Sequence, residues 1–133
     1  MANCHFTITT IADGQENSVA GKGELSLSAF GASLFYLDGD THTAVIFSKE
    51  EATLSREGAY SLRLPLKEGE TRMGTLGING EQGNVSVKTR LLRYSMQKDS
   101  LLASIKYDLD FGADTQEMQL RIYAKTLKTE GEI

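Results

Sequence analysis

A chain of 133 residues, 40% of them hydrophobic and 24% charged, has the length and composition of one globular domain that buries a core without disulfide bonds. Its formal net charge of −4 argues against a general binder of nucleic acid or anionic membranes, since such binding depends mainly on neutralising phosphates. The single cysteine, Cys4, excludes an intrachain disulfide.

The amino-terminal sequence Met-Ala-Asn-Cys-His-Phe has neither the basic start nor the apolar centre of a signal peptide. No apolar run approaches the roughly 18 residues of a membrane span, and no linker or low-complexity segment interrupts the chain. We therefore expect a cytoplasmic protein of one domain, without a membrane segment.

Short runs in which apolar and polar residues alternate follow one another along the chain, separated by turn residues such as Asp13-Gly14 and Asp38-Gly39. A period of two indicates strands with one buried and one solvated face, and Asp-Gly between apolar runs is a strong hairpin signal. The predicted strands cover, in order, residues 6–11, 19–27, 34–37, 43–47, 52–56, 60–66, 71–78, 85–91, 101–111 and 118–124.

The last two strands form the clearest hairpin, and their charges bear on the register. Two registers keep the apolar residues on one face, pairing Leu109 with either Leu120 or Met118. The second would place Lys106 opposite Arg121, and like charges facing each other across a ladder cost roughly 0.2–1 kcal/mol. We therefore predict that Leu109 lies opposite Leu120.

About ten strands, with no convincing helical period over ten or more residues, predict an all-β fold. Consecutive hairpins with short turns can remove exposed sheet edges by closing on themselves. We predict a single closed antiparallel up-and-down β-barrel of about 8–10 strands over residues 1–133. Residues 126–133 lack the alternation and are predicted to form a frayed tail.

Turn glycines and barrel residues follow a characteristic order between residues 34 and 125. The matching positions are Arg56, Gly58, Gly69, Thr89 and Tyr107. In this order the sequence resembles the YwiB-like bacterial proteins, a family described as a domain of unknown function. The resemblance implies a calycin-like (lipocalin-like) β-barrel and supplies no catalytic residues. Family members tend to carry a Tyr-x-Thr pair before a glycine in the strand preceding Val85, whereas this sequence has Met73 in place of the tyrosine and extra residues from Asn79 to Gln82.

The motif Asp38-x-Asp40-x-His42 is the only close grouping of two carboxylates and an imidazole, which are metal-ligand types. Calcium loops use more oxygen ligands and zinc sites more His or Cys, so a hairpin turn with polar ends is the favoured interpretation. We predict no metal site and no cofactor.

No set of residues stands out as catalytic machinery. Cys4 and His5 are adjacent in a strand and point to opposite faces, so they do not form a nucleophile–base pair by themselves. The Gly74-x-x-Gly77-x-x-Gly80 spacing lacks the following helix and the Gly-Lys-Ser/Thr ending of a phosphate loop. We expect a protein that is not an enzyme.

The leading functional hypothesis is a small-molecule ligand bound in the lumen or mouth of the barrel. A barrel of this size is either filled by its side chains or holds one small molecule. Four residues assigned to inward faces would bring polar tips or a pliable thioether into an apolar lining, namely Tyr60, Met73, Thr89 and Tyr107. The alternative is a packed core without a cavity.

A second hypothesis is a protein-interaction or structural domain that acts through its outer face. Leu92 and Leu102 fall on the otherwise polar face and, as cross-strand neighbours, would form an apolar patch suited to a partner or a homodimer. Alternatively, the barrel end or the amino-terminal strand covers them.

A basic stripe is the one feature typical of an RNA-binding sheet. Its residues would be Lys88, Arg90, Lys106 and Arg121, with Tyr94 and Tyr123 nearby. Asp108 and Asp110 dilute this stripe, and a charged outer face is what any soluble barrel needs. Nucleic acid is therefore not the expected partner.

Overall fold

The computed structural model describes residues 2–127, which form ten antiparallel β-strands. The strands are β1 (Ala2–Ala12), β2 (Gln15–Ser28), β3 (Gly31–Asp38), β4 (Thr41–Ser48), β5 (Glu51–Glu57), β6 (Tyr60–Lys67), β7 (Thr71–Ile78), β8 (Glu81–Met96), β9 (Ser100–Asp110) and β10 (Thr115–Thr126). This part of the chain has no helix with the length and hydropathy needed to cross a membrane.

Each strand pairs with the next, and the first pairs with the last. β1 and β10 run antiparallel from Cys4 opposite Thr126 to Ala12 opposite Met118. The sheet is therefore a closed up-and-down barrel, and the predicted fold class is confirmed.

Short turns between consecutive strands define the two ends of the barrel. Asp13 with Gly14, and Asn79 with Gly80, have positive φ angles, as two-residue hairpin turns that follow the sheet twist require. The turns after β1, β3, β5, β7 and β9 lie at one end, which we call the mouth. The turns after β2, β4, β6 and β8 lie at the other end, which we call the base.

Alternation along the strands places the apolar side chains inside the barrel. In β1, Cys4, Phe6 and Ile8 are buried, whereas His5 and Thr7 are exposed. Near the base, the ring of Phe47 packs on that of Tyr94, with centroids 4.7 Å apart, and the Tyr94 hydroxyl donates a hydrogen bond to the Lys49 carbonyl oxygen at 2.6 Å. The base is thus filled by side chains.

The predicted register of the last hairpin is wrong. Leu120 lies opposite Ile105 rather than Leu109, and the loop between the strands covers only residues 111–114. A shorter loop costs less closure entropy than the loop that the predicted register required.

Arg90 of β8 supports this register. The register places Glu117 opposite Asp108, a pairing of like charges. The Arg90 guanidinium lies 3.3 Å from the Asp108 carboxylate and 3.2 Å from that of Glu117, so it balances both charges.

A bulge in β8 overturns the predicted Leu92–Leu102 patch. The ladder between β8 and β9 shifts between Thr89 and Leu91, which inverts the alternation after that point. Leu92 consequently points inward and is only 6% exposed, while Leu102 stays outside, opposite Ser95.

Met73 was predicted to point inward, and this is wrong, since its side chain is 62% exposed. Gly74 takes the buried position in β7. A Cβ atom on Gly74 would come within 2.5 Å of the Arg63 carbonyl oxygen, so the close approach of β6 favours glycine there.

The carboxyl-terminal end differs in part from the predicted tail. Thr126 belongs to β10, and the Leu127 amide donates a hydrogen bond to the Asn3 carbonyl oxygen at 2.8 Å. The prediction of fraying is therefore wrong at Thr126, and residues 128–133 lie outside the described residues.

Candidate ligand site at the barrel mouth

A cavity of about 320 Å³ opens at the mouth of the barrel. Its volume is at the lower end of the range for small-molecule sites, about 300–1,000 Å³. Apolar residues from most strands form its wall, and its polar residues are Thr10, Tyr36, Thr43, Arg56, Tyr60, Tyr107 and Gln116. The cavity therefore combines an apolar wall with a few polar groups, as ligand sites do.

Three of the polar residues lie side by side on neighbouring strands. Tyr36 of β3 is opposite Thr43 of β4, which is in turn opposite Arg56 of β5. Each shares the inward phase of its strand with a buried leucine or valine, such as Leu54 beside Arg56. The ladder register thus aligns two hydroxyls and a guanidinium along one wall.

The Arg56 guanidinium is only partly satisfied by the protein. Its Nη2 atom donates a hydrogen bond of 3.4 Å to Asp38 Oδ2, and both side chains are about one third exposed. Its Nε atom is buried and has no hydrogen-bond partner among residues 2–127. Since a guanidinium carries five N–H donors, Arg56 keeps donors available to a bound molecule.

The hydroxyls around Arg56 are donors over the physiological pH range. Burial raises the pKa of the Tyr36 phenol above its usual value, and the positive charge of Arg56 opposes this rise. Burial likewise raises the pKa of the Tyr107 phenol, whose side chain is 2% exposed. The buried Thr43 hydroxyl makes no hydrogen bond of ordinary geometry to the described residues.

Of the residues that the sequence suggested as ligand contacts, two line this cavity. Tyr107 contributes to its wall, and Tyr60 stands at the rim with 41% of its side chain exposed. Thr89 is buried opposite Tyr107 but does not line the cavity, and Met73 lies on the outer face.

Sequence reasoning missed Tyr36, Thr43 and Arg56. The available signal was an arginine in the same strand phase as Ala52 and Leu54, because charged residues are rarely placed on a buried face without a partner.

The Asp38-x-Asp40-x-His42 motif does not converge on one point. Asp38 contacts Arg56 at the mouth, whereas His42 is exposed on the outer face of β4. Within residues 2–127, no three His, Cys, Asp or Glu side chains are grouped as a metal site requires.

Comparisons with known proteins support the fold. A family model described as a domain of unknown function (DUF1934) matches residues 7–122. The crystal structure of the YwiB protein from Bacillus subtilis is similar, with a TM-score of 0.79 and 16% sequence identity, over 96% of this chain and 93% of that one. At this identity the similarity shows the fold alone. No curated protein matches the sequence significantly.

Proposed function

The chain belongs to the DUF1934 family, as its resemblance to the YwiB-like proteins predicted, and we propose that its barrel mouth binds a small amphipathic molecule with a carboxylate or similar anionic group. The anionic group would accept hydrogen bonds from Arg56, and the apolar part would lie along the cavity wall. The protein would bind this molecule without transforming it.

The observation that carries the proposal is the Arg56 guanidinium in the wall of an apolar cavity, with a long hydrogen bond of 3.4 Å to Asp38. Charged groups are rarely placed on a largely apolar face without a strong partner. A carboxylate accepts two parallel N–H bonds from a guanidinium, so a bound anion would add a charge-assisted interaction at Arg56. The Tyr36 and Thr43 hydroxyls lie in the same cross-strand row to complete the contact.

The cavity wall supports an apolar remainder of the ligand. Leu54, Leu62 and Leu120 line its interior, and the half-exposed Tyr60 and Phe111 stand where the cavity opens. Burying apolar surface against such a wall contributes about 25 cal/mol per Å². Binding would therefore combine one polar anchor with a short apolar body.

Binding is proposed rather than catalysis because of the residue types in the wall. No His, Cys, Asp or Glu is among the described residues that line the cavity. The cavity wall therefore offers neither the common general bases nor a nucleophilic thiol. The alternative of a homodimer through Leu92 and Leu102 has lost its geometric basis, because Leu92 is buried.

Titration calorimetry with octanoate and with 1-octanol tests the proposal, since the two probes share an alkyl chain and differ in charge. We expect octanoate to bind more tightly than octanol. Arg56→Met should weaken octanoate binding by roughly 10- to 100-fold, the loss of a charge-assisted hydrogen bond, and leave octanol binding unchanged.

Arg63→Met is the matched control, because Arg63 is exposed on the outer face of β6. This variant should bind both probes as the parent protein does. Equal affinity for the two probes, or equal effects of the two arginine substitutions, would contradict the proposal.

A further inference from the structure

The outer face of β1, β10, β9 and β8 carries a second depression, of about 490 Å³, separate from the mouth cavity. Tyr123 and Leu102 form its apolar centre, with 47% and 59% of their side chains exposed. They are direct cross-strand neighbours. A contiguous exposed aromatic and aliphatic pair on a soluble barrel marks a candidate contact surface.

Cations surround this centre in a regular arrangement. Along β10, Arg121, Tyr123 and Lys125 project outward in turn, about 7 Å apart as alternate residues of a strand. Across the strands, Arg121 lies opposite Ser104, which lies opposite Arg93 of β8. We call Arg93, Lys106, Arg121, Tyr123 and Lys125 the basic face.

No Asp or Glu points outward in the part of this face that β1, β10 and β9 form. The outward residues of these three strands lie in cross-strand rows, the first being His5–Lys125–Ser100 and the last Ile11–Gln119–Lys106. Arg93 forms one ion pair, 3.3 Å from Glu68 at the border of the face, but remains 70% exposed. Such an exposed pair is weak.

The basic face differs from the stripe that the sequence suggested. Arg90 lies beyond it, paired with the carboxylates of Asp108 and Glu117, and Lys88 lies opposite Asp108. The bulge in β8 turns Arg93 outward, onto the basic face, and turns Tyr94 inward. The positive charge is therefore collected around Tyr123 although the whole chain is negative.

We propose that the basic face binds single-stranded nucleic acid, with one base stacked on Tyr123 and the flanking phosphates held by Arg121 and Lys125. An exposed aromatic ring between cations on a sheet is the arrangement by which such strands are bound without sequence preference. Because the chain carries a net charge of −4, the affinity should be modest and strongly salt-dependent.

A second copy fits this face less well. Bound through the same face about a twofold axis, it would place the positive charge of one basic face against that of the other. Single-stranded nucleic acid is negatively charged and does not have this difficulty.

Fluorescence anisotropy with labelled 12-mers of uridine RNA and of thymidine DNA tests the proposal at several salt concentrations. We expect binding of at least one oligonucleotide that weakens as salt rises. Tyr123→Ala should weaken it roughly 5- to 100-fold, the loss of one stacked base. Arg121→Ala should reduce the slope of log affinity against log salt by about 0.7.

Phe30→Ala and Arg63→Ala are the matched controls, since both residues are exposed away from this face. Neither should change binding. The proposal is overturned if neither oligonucleotide binds at 50 mM salt, or if the controls lose as much affinity. It is also overturned if a labelled 12-mer of glutamate binds equally well, or if Tyr123→Ala changes the molar mass in light scattering.

Discussion

Burial of Tyr107 should make the stability of this barrel sensitive to alkaline pH. Burial raises the pKa of Tyr107 above its usual value of about 10, so the unfolded chain loses this proton first as pH rises. Because the unfolded state then binds fewer protons than the folded state, the free energy of unfolding falls with increasing pH. One such tyrosine lowers the free energy of unfolding by about 1.4 kcal/mol for each pH unit above 10, until the pH reaches the pKa of the folded state.

We predict that Tyr107→Phe reduces the loss of stability between pH 8 and pH 11, measured by urea unfolding at each pH. Tyr123→Phe is the control, because Tyr123 is half-exposed on the outer face. An equal loss in the parent and Tyr107→Phe proteins would show that Tyr107 does not cause the pH dependence.

Cys4 is expected to be chemically inert in the folded protein. Its side chain is 0% exposed and points into the core, and burial raises the pKa of its thiol. Since the thiolate is the reactive form, alkylation by iodoacetamide should proceed only through unfolding, and its rate should rise sharply in urea. Rapid alkylation under native conditions would mean that the β1–β2 pairing opens locally.

The bulge in β8 shows where alternation along a strand stops being informative. Leu91 and Leu92 are both apolar, so the sequence pattern fits either phase from that point on. The structure resolves the choice through Glu68 of the β6–β7 turn, whose Oε1 accepts a hydrogen bond from the Leu92 amide at 3.0 Å. A contact between residues distant in sequence therefore fixes the phase.

Glu68→Ala should destabilise the protein by about 1–2 kcal/mol, because the Leu92 amide then loses its charged acceptor. Glu68→Gln should retain most of the stability, since the amide oxygen can accept the same bond. Glu50→Ala, at an exposed turn position, should change stability by less than about 0.5 kcal/mol. Urea midpoints at a constant m-value provide the measurement, and equal effects of the two alanine substitutions would exclude this role for Glu68.

The register of the hairpin of β9 and β10 likewise depends on a residue outside the two strands. The choice made from the sequence weighed like charges on two strands only, whereas Arg90 on a third strand balances Asp108 and Glu117. Cross-strand energies of this size are easily offset by a neighbouring charge. The existence of the hairpin was predictable, and its register depended on the neighbouring strand.

Closure of the barrel assembles the candidate ligand site from strands far apart in sequence. Strand phase alone predicted the inward positions of Tyr60 and Tyr107, which line the cavity. It did not show that Arg56 on β5 and Tyr107 on β9 face the same cavity, because that depends on the tilt and stagger of the closed sheet. The fold class thus followed from local pattern, and the polar anchor followed only from the closed topology.

A closed sheet should also unfold as one unit, because each strand pairs with a neighbour on both sides. Ile122 of β10 is 1% exposed and lies opposite Ile8 of β1 at the seam between the first and last strands. Ile122→Ala should lower the free energy of unfolding by about 2–5 kcal/mol, the cost of a core truncation.

Native-state hydrogen exchange would show how this loss is distributed. We expect the slowest amides of β1, β5 and β9 to lose the same opening free energy in Ile122→Ala, because the seam and the opposite wall open together. Ile46→Ala, which truncates an isoleucine 41% exposed on the outer face of β4, should change these values by a smaller amount. If only the amides of β1 and β10 exchange faster in Ile122→Ala, the seam opens by itself and the barrel is not a single cooperative unit.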